Sequence, residues 1–189
     1  TPFGVYIHIP FCSRRCDYCA FATWSDRHHL QDAYLDALTV EIAREVEQGM
    51  PVATSVFVGG GTPSLVDPDR LAQIVSSIPV TAGAEITIEC NPESATAGHF
   101  EAYVAAGVNR ISIGMQALND ADLRRLGRMH SVAEGKAAYD IARATFDRVS
   151  FDLIYARQDQ TPKAWRAELT EALAMNPTHL SLYQLTIED

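Results

Sequence analysis

The stretch Gly4-Val5-Tyr6-Ile7-His8-Ile9-Pro10-Phe11-Cys12-Ser13-Arg14-Arg15-Cys16-Asp17-Tyr18-Cys19 runs from a β-rich segment straight into three cysteines within eight residues. Gly4–Ile9 alternates apolar and polar side chains, which predicts a strand, with His8 read as a hydrogen-bonded core residue. Cys90, the fourth cysteine, stands far away. Such clustering, in a chain whose first residues lack the basic flank and length of a signal peptide, reads as metal binding rather than as disulfides. Three thiolates are one short of the four ligands of a structural zinc or a closed iron–sulfur cluster. Two readings follow. His8, His28 or His29 completes a Cys3His zinc site, or one metal position stays open for a ligand that reacts. The cysteines alone leave both open.

Five more β-rich runs follow: Ser55–Val58, Glu85–Glu89, Arg110–Gly114, Val149–Ile154 and His179–Leu185. Helical patterns separate them. Leu30, Tyr34, Leu38, Ile42 and Val46 recur at i+4 spacing, and Leu71, Ile74, Val75 and Ile78 form a second stripe behind an Asp67-Pro68 start. Phe100, Tyr103 and Val104 precede Gly107, a C′ glycine. Ser131 and Glu134 make a capping box for a helix reaching about Ala144. Thr161-Pro162 opens the last helix, with Trp165, Leu169 and Leu173, and Pro177 follows it. Sixfold strand–helix alternation predicts right-handed βαβ units and a parallel sheet, either doubly wound or barrel-like. No linker divides the 189 residues, so they read as one unit, expected to be an excerpt of a longer polypeptide.

Composition narrows the function. With 15 Lys+Arg against 24 Asp+Glu the formal net charge is −9, which argues against nucleic acid as the main partner, because phosphate neutralisation needs clustered cations. No apolar run approaches the length that spans a bilayer, and a cytoplasmic location is expected. The polar residues gather at one end of each predicted strand. The cysteine loop follows the first and Gly59-Gly60-Gly61-Thr62-Pro63 the second. Glu89 ends the third, Gln116 lies past the fourth, Asp152 is near the end of the fifth, and Thr186 follows the sixth. Carboxyl ends of parallel strands are where sites form in α/β folds. The glycine run lacks the Gly-Lys-Ser/Thr of a phosphate loop.

Cys12, Cys16, Tyr18 and Cys19, followed by Gly59–Pro63, resemble the CxxxCxxC and GGGTP motifs of the radical S-adenosylmethionine (SAM) superfamily. The wider run Val5–Cys12, with Glu89, Ser112-Ile113-Gly114-Met115-Gln116 and Asp152-Leu153-Ile154-Tyr155, is similar to the branch that holds the oxygen-independent coproporphyrinogen III oxidases and the heme chaperones. The resemblance covers nearly the whole chain. It implies an α/β fold, a partial (β/α)6 TIM-like barrel, over residues 1–189. It implies a [4Fe–4S] cluster on Cys12, Cys16 and Cys19, with SAM chelating the open iron, and an electron donor whose electron cleaves SAM to a 5′-deoxyadenosyl radical. Tyr6 matches a tyrosine near the cluster. Gly60, Gly61 and Thr62 match the loop for the methionine portion of SAM, and Glu89 a carboxylate for its ammonium. Gln116, Arg128 and Asp152 match polar contacts, and Thr186 the position approaching the adenine. Arg14 and Arg15 are read either as offsetting the cluster's charge or as a solvated loop.

Ala20-Phe21 follows Cys19 where the oxidases resemble CxxxCxxCxC. Phe21 resembles the chaperone pattern, as does Leu182–Glu188. The resemblance therefore implies heme binding and delivery to apoproteins, with porphyrinogen decarboxylation as the alternative. Cys90 is expected to be a buried, inert thiol. His28 and His29 are placed at the start of the first helix, and His130, after Arg128, at the edge of the site.

Overall fold

In the computed structural model, which describes residues 1–186, six strands form one sheet in chain order. They are β1 (Gly4–Ile9), β2 (Ala53–Gly60), β3 (Val80–Cys90), β4 (Arg110–Gln116), β5 (Arg148–Tyr155) and β6 (His179–Gln184). Every neighbouring pair is parallel. The helices are α1 (Gln31–Glu47), α2 (Pro68–Ser76), α3 (Ala97–Ala105), α4 (Asp120–Arg125), α5 (Val132–Thr145) and α6 (Pro162–Ala174). Strand order that follows the chain is the winding of a βα barrel rather than of a doubly wound sheet, whose order reverses at a switch point. With β1 and β6 as its edges, the sheet is a partial (β/α)6 barrel.

The period of two gives the sheet two unlike faces. Ile7, Ile9, Val56, Val58, Ile86, Ile88, Ile111, Ile113, Val149, Phe151 and Leu153 are buried in the main core, where the helices cover them. The alternate residues make the inner face, and most are polar. Arg110 donates to Glu85 at 2.9 Å and to Ser150 at 3.4 Å, and Ser150 donates to Ser112 at 3.2 Å. The concave side is thus wet chemistry held on a dry wall.

Local signals explain most helix starts. Asp67, Thr96, Asn119, Ser131 and Thr161 each accept a backbone N–H at a helix N-terminus, and the Ser131–Glu134 capping box is formed. Gly107, at φ +91°, follows α3. Two stripes pack only in part. The α1 stripe meets the core at Tyr34, Leu38 and Ile42, joined by Leu35, while Leu30, in the turn before the helix, and Val46 at its end are exposed. In α6, Leu173 is exposed, and Ala172 with Glu168 takes the buried face. The short helix α4 was not expected.

Candidate functional site

The carboxyl ends of the strands surround a cavity of about 390 Å³, a size usual for small-molecule sites. Residues from the loop after β1 and from β6 line the same space, which requires the sheet to curl. Cys12, Cys16, Cys19, Gly60, Gly61, Thr62, Glu89, Gln116, Arg128, Asp152 and Thr186 all border it. Tyr6 does not. Its ring is 57% exposed, stacks on Phe57 at 6.2 Å and bonds His8 Nδ1 at 3.0 Å.

Backbone bonds shape the cysteine loop. Trp24 N–H donates to Pro10 O at 2.8 Å and Cys12 N–H to Trp24 O at 3.1 Å. His28 Nε2 lies 2.9 Å from Cys12 O, and Arg15 donates twice to Cys19 O. All four cysteines are free thiols. Among the described residues, no three His, Cys, Asp or Glu side chains converge as ligands of a single ion. His8 has both ring nitrogens engaged, with Tyr6 and with Ala22 O. This geometry opposes the Cys3His zinc reading. Cys12, Cys16 and Cys19 stay free on one loop and would be the residues to hold a cluster.

The glycine run is a cradle with no room for side chains. Gly60 sits at φ +114°, and a Cβ there would lie 2.7 Å from the His8 ring. At Gly61 a Cβ would lie 2.5 Å from Phe11 O and 3.0 Å from Cys12 Sγ. The run therefore packs its backbone against the cysteine loop, where Gly61 N–H donates to Ile9 O and Thr62 N–H to Phe11 O, both at 2.7 Å. Gln116 holds φ +68°, which is costly for a residue with a Cβ. It lies where the β4–β5 register shifts.

A hydrogen-bonded belt joins two of the thiols. Thr62 Oγ1 donates to Cys12 Sγ at 3.6 Å and accepts from Asn91 Nδ2 at 2.9 Å. Asn91 Oδ1 accepts from Arg128 Nη2 at 2.8 Å, and Arg128 Nη1 donates to Cys16 Sγ at 3.5 Å. Arg128 Nε is buried and finds no partner among the described residues. Burial pulls the Arg128 pKa down, but Tyr18 and Cys16 outweigh it and hold the guanidinium above its ordinary value. Burial pushes the Cys12 thiol up, partly offset by the Thr62 hydroxyl.

Two carboxyl groups share the other side of the cavity. Burial, with Asp152 nearby, raises Glu89 to about 7 against the pull of the Gly60 N–H. Burial raises Asp152 to about 6, opposed by Ser181, Ser112, Arg110 and Arg128. In both, burial outweighs the compensation from these neighbours, and a further cation or donor in the cavity would favour the charged forms.

Other expectations resolve as follows. Cys90 is buried, with its thiol pushed up to about 11 by burial, so it is inert at neutral pH. His28 and His29 open the turn before α1. His130 is a correction: it lies behind β4, its Nε2 3.1 Å from Met115 O, and does not border the cavity. Asn91 and Tyr183 border the cavity without having been singled out. Nothing in the local pattern marked Asn91, because its partners Thr62 and Arg128 are distant in the chain.

The family model of the radical SAM superfamily matches residues 6–169. The chain belongs to that superfamily, and membership implies a [4Fe–4S] cluster and SAM. It is 40% identical to the heme chaperone HemW of Escherichia coli K12 over 99% of this chain and 51% of that protein. It is 39% identical to the mitochondrial radical S-adenosyl methionine domain-containing protein 1 of Mus musculus, over 100% of this chain and 44% of that one. The chain spans about half the length of these relatives. Among solved structures, coproporphyrinogen III oxidase (HemN) from Escherichia coli superposes with a TM-score of 0.88 at 29% identity, over 98% of this chain and 44% of that one. No helix among the described residues is long and apolar enough to cross a membrane.

Proposed function

We propose that these residues are the radical SAM core of a heme chaperone, acting in the cytoplasm, with Cys12, Cys16 and Cys19 holding a [4Fe–4S] cluster and heme as the cargo handed to apoproteins. The observation that carries the reading is the 40% identity to a heme chaperone across 99% of the chain. Phe21 agrees with it: an exposed ring at the cavity rim stands where the oxidases resemble a fourth cysteine.

The residues fit the cofactors. Three free thiols on one loop offer soft donors for iron, two of them already facing hydrogen-bond donors. Gly60 and Gly61 border the cavity, where their backbone would meet the methionine portion of SAM. Glu89 would take its ammonium, and binding that cation would return the carboxylate toward its ordinary acidity. Gln116, Arg128 and Asp152 would take the remaining polar groups, and Thr186 would border the adenine. Tyr6, on the face of β1 opposite Ile7 and within the field of Glu89, would lie near the cluster. When bound, cluster and SAM together supply one-electron reductive cleavage of the sulfonium. The chain's own work is to orient them and to exclude water.

A second reading, porphyrinogen decarboxylation, is favoured by the superposition on coproporphyrinogen III oxidase. Anaerobic reconstitution followed by two assays separates the two. Heme titration with transfer to an apoprotein supports the chaperone. Vinyl product from coproporphyrinogen III, SAM and a reductant overturns it as the sole function. One zinc per chain in place of four irons overturns both.

A further inference from the structure

Asn91 sits at the centre of the belt between Cys12 and Cys16. Its backbone is anchored on both sides: N–H donates to Ser64 Oγ at 3.4 Å, and C=O accepts from Ser94 Oγ at 3.1 Å. Its carboxamide therefore projects from a fixed point. The Nδ2 end donates to Thr62 Oγ1 at 2.9 Å and the Oδ1 end accepts from Arg128 Nη2 at 2.8 Å. This orientation of the amide is forced, because a guanidinium can only donate.

The consequence reaches both sulfurs. A hydroxyl that accepts from Asn91 turns its own hydrogen elsewhere, and Cys12 Sγ at 3.6 Å is the acceptor there. A guanidinium held through Nη2 by Asn91 and by Gly114 O at 2.9 Å presents Nη1 to Cys16 Sγ at 3.5 Å. Only a side chain with one donor and one acceptor does both. Cys19 receives no comparable contact among the described residues.

We infer that Asn91 is a positioning residue for the cluster, aiming the Thr62 hydroxyl at Cys12 and the Arg128 guanidinium at Cys16 so that the bound cluster is easier to reduce. The inference rests on the cysteine assignment under Proposed function. Reduction adds negative charge to the cluster, and donors on its sulfur ligands stabilise the more negative state, which raises the potential.

The test is a potentiometric titration of the anaerobically reconstituted protein, followed by the electron-spin signal of the reduced cluster, with iron counted in parallel. Asn91→Ala is expected to keep the wild-type iron count and to lower the reduced-to-oxidised ratio about tenfold at a fixed ambient potential, a midpoint shift of about 59 mV for one electron. A variant with full iron and an unshifted midpoint overturns the inference. Should Asn91→Ala fail to assemble, Thr62→Val and Thr62→Ser read the same belt. Valine should lower the potential and serine restore it. Equal midpoints in that pair overturn the inference. A wild type that takes up no cluster overturns the cysteine assignment, and the inference with it.

Discussion

Two buried polar knots in this molecule are built from the same residue types and end differently. In the loops that follow β4 and β5, Arg157 bonds Glu168 at 2.6 Å and Asp122 at 3.0 Å, and Glu168 also accepts from the Leu118 N–H at 2.6 Å. Every arm of that knot is used inside the protein. At the cavity, Arg128 keeps an unpartnered Nε, and Glu89 and Asp152 carry raised pKa values. Burial alone would raise Asp122 as well, but Asn119 and Arg157 hold it below its ordinary value. A knot that closes on itself is structure. A knot left open in a cavity is prepared for something that comes from outside, since orphaned buried polar groups cost free energy that only a ligand returns.

The comparison can be broken in several ways. The largest expected effect is on Cys16→Ala, which should reduce reconstituted iron to background while leaving the thermal unfolding of the metal-free protein within a few degrees of wild type. Loss of folding instead would mean that the loop belongs to the scaffold. Next comes Arg157→Ala, which should cost about 3–5 kcal/mol in denaturant unfolding, as expected when one partner of a buried pair is removed. A loss below about 1 kcal/mol would show that the Arg157 knot is as loose as a surface pair.

The pH dependence of the two knots should have opposite signs. Glu89 and Asp152 bind protons more readily in the folded state than at their ordinary values of 4.5 and 3.8. Their contribution is full below those values, and the metal-free protein should lose stability as pH rises from about 4 to about 7. Glu89→Gln should flatten that slope in equilibrium unfolding, and an unchanged slope would place the titration elsewhere. Asp122 contributes the other way, its stabilisation being lost as pH falls through its lowered value. The smallest effect is on Cys90→Ala, expected to cost about 1 kcal/mol with full iron uptake. Iron loss there would make Cys90 a ligand and undo the three-cysteine reading.

Much of this was legible beforehand. Strand–helix alternation, the capped helix starts and the position of Glu89, Gln116 and Asp152 at strand ends follow from local patterns with short physical range. The helix faces were less legible. In α1 the middle of the expected stripe packs on the core at Tyr34, Leu38 and Ile42, yet its ends Leu30 and Val46 are exposed and Leu35 joins the packed face from beside it. Which stripe meets the sheet depends on how the sheet curves. Asn91 illustrates the same limit at the site, because Thr62 and Arg128 lie 29 and 37 residues away in the chain.

The order of residues by itself determined that three thiols would sit on one loop after the first strand, and that a glycine run would follow the second. Spacing and residue chemistry suffice for that. Only the tertiary structure decided that the sheet curls far enough for β6 to share a cavity with that loop. It also decided that one belt would tie Cys12 to Cys16, and that one arginine knot would close while the other stays open. Those outcomes depend on which distant donors and acceptors the fold brings within 3 Å of each other, a distance no local pattern encodes.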